Sequence, residues 1–289
     1  MKKKILVSIL AITMMALVLV GCGGSSDTST EASDAATTEE TTATEATEDY
    51  AEGYVFKHGF DKDFPPYSFI DDNGETTGFD VELAKAVCDY YAWEYQAVPV
   101  NWDAKDLELN SGSCDCIWSG FTKSPSREAQ YCWSEPYSIN TQMIMVLEDS
   151  DIKTLDDLAG KKVGVQIGTS ALDMLETPEA DGGCKELADT FGSVETMDTY
   201  TNAVAELKAG AIDAIAIDVM TGNFQMSKQE GLKYLDEKLG DEVYAIGFRT
   251  DDTALRDKVN EALKVLAENG KMEEIGKKYE DIYDSLSMI

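Results

Sequence analysis

Short apolar runs alternate along this chain with segments whose apolar residues recur every three or four positions. The helix predicted to begin near Phe79, for example, places Leu83, Val87 and Tyr91 on one face. The runs are predicted as strands at 54–59, 95–100, 114–119, 142–147, 162–167, 193–197 and 212–217. The periodic segments are predicted as helices at 104–110, 169–175, 203–209, 221–227, 253–268 and 271–279. Such alternation indicates an α/β fold with largely parallel sheets.

Polar residues suited to contact a ligand follow the ends of three predicted strands. Residues 119–122, beginning with Ser119, follow one strand, residues 168–170 follow a second, and Asp218 follows a third. Ligands of open α/β sheets bind beyond the carboxyl ends of the strands. The pattern therefore predicts a binding site that these three segments share.

The first 22 residues have the pattern of a bacterial export signal. Three lysines at 2–4 precede an apolar run at 5–20 that is too short and wrongly flanked for a stable membrane span. The run closes on Gly21-Cys22, which resembles a lipobox with Cys22 as the lipid-bearing residue. An uncleaved signal anchor with an incidental cysteine is the alternative. We expect an extracytoplasmic protein that is lipid-anchored to the cell membrane through Cys22.

Residues 23–52 are rich in Thr, Ser, Ala and Glu and cannot form a core. They contain nine acidic residues and no Lys or Arg, which predicts a disordered, self-repelling tether. The whole chain has a formal net charge of -31 at pH 7. Such a surface disfavours nucleic acid and anionic lipid and steers cations inward, although solubility alone explains most of the charge.

Five cysteines follow Cys22, and their odd number excludes a fully paired disulfide framework. Cys114 and Cys116 should point to the same face of a strand, where they cannot readily bond to each other. A metal site would need a histidine partner, and the only histidine in the chain is His58 on the first strand. We therefore interpret all five cysteines as small core residues and expect no metal and no cofactor.

Six sequence motifs follow one another along the body of the chain. They are GFDKDFPPYSFIDDNGETTGFDVEL at 59–83, NWDAKDLELNSG at 101–112, SGFTKSPSR at 119–127, WSEPY at 133–137, KVGVQIGTS at 162–170 and AGAIDAIAID at 209–218. In this order they resemble the family 3 solute-binding proteins, the extracytoplasmic receptors of polar amino-acid ABC importers. The resemblance covers essentially residues 53–289.

The resemblance implies a periplasmic-binding-protein-like type II fold, with two α/β lobes joined by a two-segment hinge. Lobe 1 would comprise residues 53–138 and 243–289, and lobe 2 would comprise residues 139–242. Such a receptor closes around one polar amino acid and presents it to an ABC transporter permease. We expect it to act as a monomer.

The resemblance also implies which residues of lobe 1 bind the ligand's carboxylate. It places that role at Arg127, whose planar guanidinium can bind a carboxylate through two hydrogen bonds. The Thr122 hydroxyl and the Gly120 backbone would lie beside it. The alternative is a surface arginine paired with Glu128 or Glu135.

Lobe 2 offers two further contacts. Gly168-Thr169-Ser170 ends a strand and starts a helix, where free backbone N–H groups favour a carboxylate. An ordinary N-cap is the alternative there, and both can hold. Asp218 resembles the acid that binds the ligand's ammonium, and its alternative is again a helix N-cap.

The ligand's side chain has four candidate partners. Phe64 and Trp102 match positions where relatives place two aromatic rings around it, although Trp102 could instead be a core residue. Asp61 matches a position where binders of basic amino acids and glutamine carry an acid. Gln166 stands where many binders of basic amino acids have an aliphatic residue, and Trp118 is bulkier than usual for its strand. We expect a basic, amide or cystine-type ligand.

Two other functions remain as alternatives. An enzyme on the same fold, similar to the cyclohexadienyl dehydratases, would need a catalytic pair, but the chain has one histidine and no obvious nucleophile–base pair. A sensory module that reports ligand occupancy to a partner is the other alternative. We interpret the chain as a binding protein and not as an enzyme.

Overall fold

A computed structural model of the chain describes residues 50–279 and 282–289. The predicted signal, Cys22 and nearly all of the predicted tether lie outside the described residues. None of the helices in the described part of the chain is both long and apolar enough to span a membrane.

The described residues form mixed α/β structure. The strands are β1 Val55–Phe60, β2 Asp63–Phe64, β3 Ser68–Ile70, β4 Thr76–Thr77, β5 Glu94–Pro99, β6 Cys116–Ile117, β7 Cys132–Trp133, β8 Ser138–Leu147, β9 Lys162–Gln166, β10 Ser193–Met197, β11 Ala214–Asp218, β12 Leu232–Tyr244 and β13 Gly247–Phe248. The α-helices are α1 Phe79–Tyr91, α2 Lys105–Asn110, α3 Ser170–Glu176, α4 Lys185–Ala188, α5 Tyr200–Ala209, α6 Val219–Lys228, α7 Thr253–Glu268, α8 Lys271–Gly276 and α9 Ile282–Ser285.

Two five-stranded sheets organise these elements. The first sheet has the order β5-β1-β6-β13-β7, and the second has the order β10-β9-β11-β8-β12. The expectation of largely parallel sheets is only half right, because both sheets are mixed. In the first, β13 runs antiparallel to β6 and β7. In the second, β8 runs antiparallel to β11 and β12.

The periodic segments fold as predicted where one face is strongly apolar. Helix α7 has the predicted bounds and buries Leu255, Val259 and Leu263 at helical spacing. Helix α1 begins at Phe79 and buries Leu83 and Val87. Burying these stripes in the core is the main source of stability for helices of this length.

The small side chains that suggested metal or disulfide chemistry lie inside the fold. The five described cysteines are free, and all but the half-buried Cys132 are buried. His58 is also fully buried, with Nε2 2.5 Å from the Trp118 carbonyl and Nδ1 3.0 Å from the Tyr95 hydroxyl. Burial lowers the pKa of His58 to about 4, which keeps the ring neutral. In the part of the chain that the structure describes, no cluster of His, Cys, Asp and Glu could hold a metal ion.

Candidate functional site

A small cavity lies where loops of the first sheet face loops of the second. The side chains and backbone that line it are Phe64, Trp102, Gly120, Thr122, Arg127, Thr169, Ser170 and Asp218. All eight are among the residues that the sequence predicts for ligand binding. The free space inside is about 10 Å³, which is room for roughly one water molecule. An amino acid can therefore bind only if the lining residues move apart.

Arg127 enters the cavity from the first sheet's side and is almost fully buried. Its Nη2 donates to Asp173 Oδ2 at 2.8 Å and to the Gly168 carbonyl at 3.2 Å. Its Nη1 lies 3.5 Å from the Thr122 carbonyl, and the guanidinium carbon lies 5.1 Å from the centre of the Phe121 ring. The alternative of a surface arginine paired with a neighbouring glutamate does not describe this buried side chain.

Two hydroxyl residues begin helix α3 beside Arg127. Thr169 is the N-cap: its Oγ1 accepts from Leu172 N at 3.4 Å and donates to the Gln166 carbonyl at 2.7 Å. Ser170 Oγ accepts a hydrogen bond of 3.0 Å from Thr122 Oγ1, which comes from the first sheet's side. The N-cap alternative therefore holds for Thr169, and both residues also line the cavity.

Asp218 ends strand β11 and carries a buried carboxylate into the cavity. Its Oδ1 accepts from Asn140 Nδ2 at 2.9 Å, from Gln142 Nε2 at 2.8 Å and from the Tyr244 hydroxyl. Its Oδ2 has no hydrogen-bond partner among the described residues. Although Asp218 precedes α6, its side chain makes no capping hydrogen bond. The carboxylate is thus directed at the cavity and not at the helix.

Burial makes the Asp218 carboxyl unusually easy to protonate. Removal from water and the nearby charge of Glu242 together raise the pKa of Asp218 to about 7, although hydrogen-bond donors such as Tyr244 oppose the rise. A cation brought to the free oxygen would favour the ionised form. The site is therefore suited electrostatically to an ammonium group.

Asp61, Gln166 and Ser119 lie next to the cavity and do not line it. Gln166 Nε2 donates to Asp61 Oδ2 at 2.6 Å, across from the second sheet to the first. Ser119 Oγ lies 2.5 Å from Ser68 Oγ and accepts from Asp61 N at 3.2 Å. Burial raises the pKa of Asp61 to about 6. Gln166 thus holds the Asp61 carboxylate, and Ser119 holds the Asp61 backbone, beside the cavity.

A second cavity adjoins the first at Trp102, which lines both. It has a volume of about 450 Å³ and is lined by Asp61, Asp63, Asp103 and Asp198 together with Lys62. Four acids against one lysine make this space attractive to a cation. A ligand side chain that passes Trp102 would enter it.

The aromatic residues of the cavity are also packed into the core. The Phe64 ring lies 6.2 Å from that of Tyr200, and Trp102 meets Phe121 edge-on at 5.6 Å. Gly120 has φ +52, and a Cβ there would lie 2.6 Å from Phe64 Cε1. Only glycine fits at that turn. Trp102 is therefore both a core residue and part of the cavity wall.

Several residues at the site were not predicted from the sequence. The side chains of Asn140, Gln142 and Glu242 surround Asp218, and Asp173 pairs with Arg127. Lys105 Nζ donates to the Trp102 and Gly168 carbonyls at 3.3 and 3.0 Å, and burial lowers the pKa of Lys105 to about 8. The alternation of Asn140 and Gln142 along a strand was the one signal available, since both side chains then share a face.

Comparison with known proteins gives consistent matches over the body of the chain. The model of the bacterial extracellular solute-binding proteins, family 3, matches residues 56–281. The arginine-binding extracellular protein ArtP of Bacillus subtilis is 33% identical over 225 residues, with 76% of this chain and 84% of that protein covered. The L-cystine-binding protein TcyJ of Escherichia coli is 29% identical over 224 residues, with coverage of 76% and 80%.

A solved structure has the same fold. The substrate-binding protein of an ABC uptake transporter from Streptococcus pneumoniae, crystallised with bound histidine, superimposes with a TM-score of 0.73 at 31% identity. The match covers 79% of this chain and 94% of that one. The predicted periplasmic-binding-protein type II fold is thereby confirmed. The relatives are named as binding proteins, in agreement with the interpretation that this chain is not an enzyme.

Proposed function

Because the chain belongs to the bacterial extracellular solute-binding proteins of family 3, we propose that it captures one polar amino acid and delivers it to an ABC transporter permease. The observation that carries the proposal is the shared cavity of eight predicted residues, with Arg127 on one wall and Asp218 on the other. A free amino acid presents one carboxylate and one ammonium, and each of these residues complements one of them.

Arg127 binds the ligand's carboxylate, assisted by the Thr122 hydroxyl, and Gly120 approaches the ligand through its backbone. Asp218 binds the ammonium, and Thr169 and Ser170 complete the second wall. The unpartnered Asp218 Oδ2 supports the ammonium role, because a buried carboxylate oxygen is costly without an opposite charge. The buried guanidinium of Arg127 supports the carboxylate role, because it has N–H donors beyond those that Asp173, Gly168 and Thr122 use.

The ligand's side chain is basic or amide-like, with arginine first and glutamine, histidine or cystine next. It passes Phe64 and Trp102 towards Asp61 and Gln166, which supply π faces, a carboxylate and an amide. The names of the relatives include arginine and cystine binding, and the solved structure holds histidine. The acidic second cavity favours a cation at the end of the side chain.

Two lobes close around the ligand in this proposal. Lobe 1 comprises residues 53–138 and 243–289 around the first sheet, and lobe 2 comprises residues 139–242 around the second. The antiparallel pair β8 and β12 contains both points where the chain passes between them. A ligand that contacts both walls favours the closed arrangement, and closure requires no bond to be made or broken.

The protein acts at the outer face of the cell membrane in this proposal. Cys22 carries the lipid anchor, and residues 23–52 form the acidic tether above the headgroups. Membership of an extracellular family agrees with that location.

A thermal-shift screen against the twenty amino acids, ornithine, citrulline and cystine tests the proposed function. A ligand at a hundred times its Kd stabilises the folded protein by about 2.7 kcal/mol. We expect arginine to give the largest shift and glutamate none. No shift with any amino acid would contradict the proposed function, and turnover of prephenate or arogenate would favour the enzyme instead.

A further inference from the structure

Glu242 lies beside Asp218, and none of the roles given above uses it. Asn140 Nδ2 donates to Asp218 Oδ1 at 2.9 Å and to Glu242 Oε1 at 2.7 Å. Gln142 Nε2 donates to the same two oxygens, at 2.8 Å each. Two neutral amides on β8 therefore hold two carboxylates side by side.

Each of the two carboxylates keeps one buried oxygen without a donor. Asp218 Oδ2 and Glu242 Oε2 have no hydrogen-bond partner among the described residues, and the same is true of Asn140 Oδ1 and Gln142 Oε1. All four atoms are acceptors, and a buried acceptor without a donor is costly. The neutral Tyr200 hydroxyl beside Asp218 can donate to only one of these atoms, whereas an ammonium has three N–H donors.

The pair stands between two cavities. Asp218 lines the central cavity, and Glu242 lines a neighbouring one of about 320 Å³. Thr122 and Ser170 line both, so the two spaces are in contact. An ammonium held by Asp218 in the central cavity can thus be approached from the other side by Glu242.

We propose that Asp218 and Glu242 form one anionic site for the ligand's ammonium, and that Asp218 gives up a proton when the ligand binds. The ammonium N–H groups donate to the two free oxygens, the carboxyl O–H bond breaks, and the proton passes to solvent. The inference rests on the proposed function and names the acid that completes its ammonium site.

The groups around the pair support one exchangeable proton near neutral pH. Strand β12 contributes Glu242 and Tyr244, α5 contributes Tyr200, and the opposite wall contributes Arg127. Burial raises the pKa of Tyr200 well above its ordinary value, so that hydroxyl stays neutral. Because the pKa of Asp218 is raised to about 7, the proton is bound below that pH and must be displaced. Affinity for the ligand therefore falls as the pH falls.

Calorimetry of L-arginine binding at pH 6 and pH 8, in buffers of different ionisation enthalpy, tests the inference. Apart from the effect of Asp61, which the parent and the variant share, one linked proton with a midpoint near 7 weakens binding about tenfold from pH 8 to pH 6. Glu242→Gln keeps the shape and removes the charge. We expect Glu242→Gln to reduce this difference in affinity between pH 8 and pH 6 to roughly threefold. The variant should also release fewer protons than the parent when it binds L-arginine at pH 7. Asp61 is unchanged in both proteins, so its own titration cancels in the comparison.

Asp241→Asn is the matched control, because it removes one charge from the adjacent position of β12. Asp241 is exposed and contacts Thr141 and Lys238 instead of the buried pair. The affinity of Asp241→Asn for L-arginine should depend on pH as that of the parent does. If the affinity of Glu242→Gln also keeps the parent's pH dependence, the shared ammonium site is wrong and the proposed function stands. If the parent binds no amino acid, the shared site and the proposed function are both wrong.

A second measurement does not depend on a variant that folds. The ¹³C signal of the Asp218 carboxyl in the parent should titrate near pH 7, and saturating L-arginine should move that step below pH 6. If saturating L-arginine leaves the midpoint of this signal unchanged, the inferred proton release is wrong.

Discussion

At the scale of single residues, Arg127 shows how geometry limits substitution. Its three contacts, to Asp173, Gly168 and Thr122, use part of a planar group that has five N–H donors. The remaining donors are fixed in direction by those contacts and by the Phe121 ring. A lysine would keep the charge and lose the planar pair of donors that matches a carboxylate.

We expect Arg127→Lys to weaken binding of the best ligand by at least tenfold while the protein stays folded. Each lost hydrogen bond to a charged group costs roughly 1.5–3 kcal/mol. Calorimetry measures the affinity, and the melting temperature checks that the variant is still folded. Arg256→Lys is the control, since Arg256 contacts the Trp133 carbonyl and Asp257 away from the cavity. An affinity within twofold of the parent would remove Arg127 as the carboxylate site.

The predictability of the site differed from residue to residue. The eight cavity residues lie next to strand ends or in motifs that resemble a known family, so the sequence pointed to them directly. Glu242 gave no such signal, because it lies in the polar stretch LDEKLGDE, where one more acid is unremarkable. Its role depends on Asn140 and Asp218, which are about 100 and 24 positions away and meet it only through the sheet.

Asp61→Asn should separate ligands by the charge of their side chains. We expect L-arginine to lose roughly tenfold or more in affinity, L-glutamine to lose less, and L-glutamate to remain a non-ligand, because Asp61 supplies negative charge. Since burial raises the pKa of Asp61 to about 6, arginine binding should also weaken as the pH falls through 6. Asp72→Asn is the control, because Asp72 is exposed and lines neither cavity. A parent that binds glutamate or leucine best would contradict this assignment.

At the scale of elements, helix α1 fixes part of the cavity wall. Asp80 lies in its first turn and is fully buried. Its Oδ2 accepts from Gly120 N at 2.7 Å and from the Tyr137 hydroxyl at 2.8 Å. The start of the helix is thereby tied to the turn at Gly120 that lines the cavity.

The same carboxyl makes stability depend on pH. Burial raises the pKa of Asp80 from 3.8 to about 7, so the folded state holds its proton more tightly than the unfolded state. That contribution is complete below pH 4 and is lost as the pH rises to 7, at up to about 1.4 kcal/mol per pH unit. Asp80→Asn should flatten this loss in urea titrations from pH 4 to 8, whereas Asp89→Asn on the exposed face of α1 should not. If the free energy of unfolding of Asp80→Asn depends on pH as steeply as that of the parent, the assignment to Asp80 is wrong.

Helices with a strong apolar periodicity could be predicted from the sequence, whereas strand β12, which pairs with β8, could not. Helix α7 was located to the residue because its apolar stripe is sharp. Strand β12 was missed, because its register shifts between Tyr234 and Gly240 interrupt the alternation that marks a strand. Without β12 the antiparallel pairing with β8 cannot be deduced, and the sheets look more parallel than they are.

At the scale of the whole molecule, the proposed lipid anchor at Cys22 would hold the protein at the membrane. Cys22→Ala should abolish incorporation of labelled lipid, since the acidic body offers no other attachment to an anionic membrane. An unprocessed signal can retain the mutant at the membrane, so lipid incorporation is the measurement to use. Labelling that persists would refute Cys22 as the lipidated residue.

The direct contacts across the central cavity also have a kinetic consequence. Asp61 to Gln166, Lys105 to Gly168 and Arg127 to Asp173 each join the first sheet's side to the second. Because the cavity has room for about one water molecule, these contacts must break before an amino acid can arrive. The rate of association is then set by how often the walls separate, not by diffusion alone.

Asp173→Asn should accelerate that first step. The Asp173 side chain is more than one third exposed, so its ion pair is worth at most about 1 kcal/mol. Removing it should raise the association rate constant for L-arginine by roughly two- to fivefold, as stopped-flow tryptophan fluorescence can measure. Asp181→Asn should leave the rate unchanged, because Asp181 lines the neighbouring cavity of about 320 Å³ and makes no ion pair with Arg127 among the described residues. If Asp173→Asn alters only the dissociation rate, the Arg127–Asp173 ion pair does not control access to the cavity. The time that the receptor needs to load its ligand would then depend on other contacts.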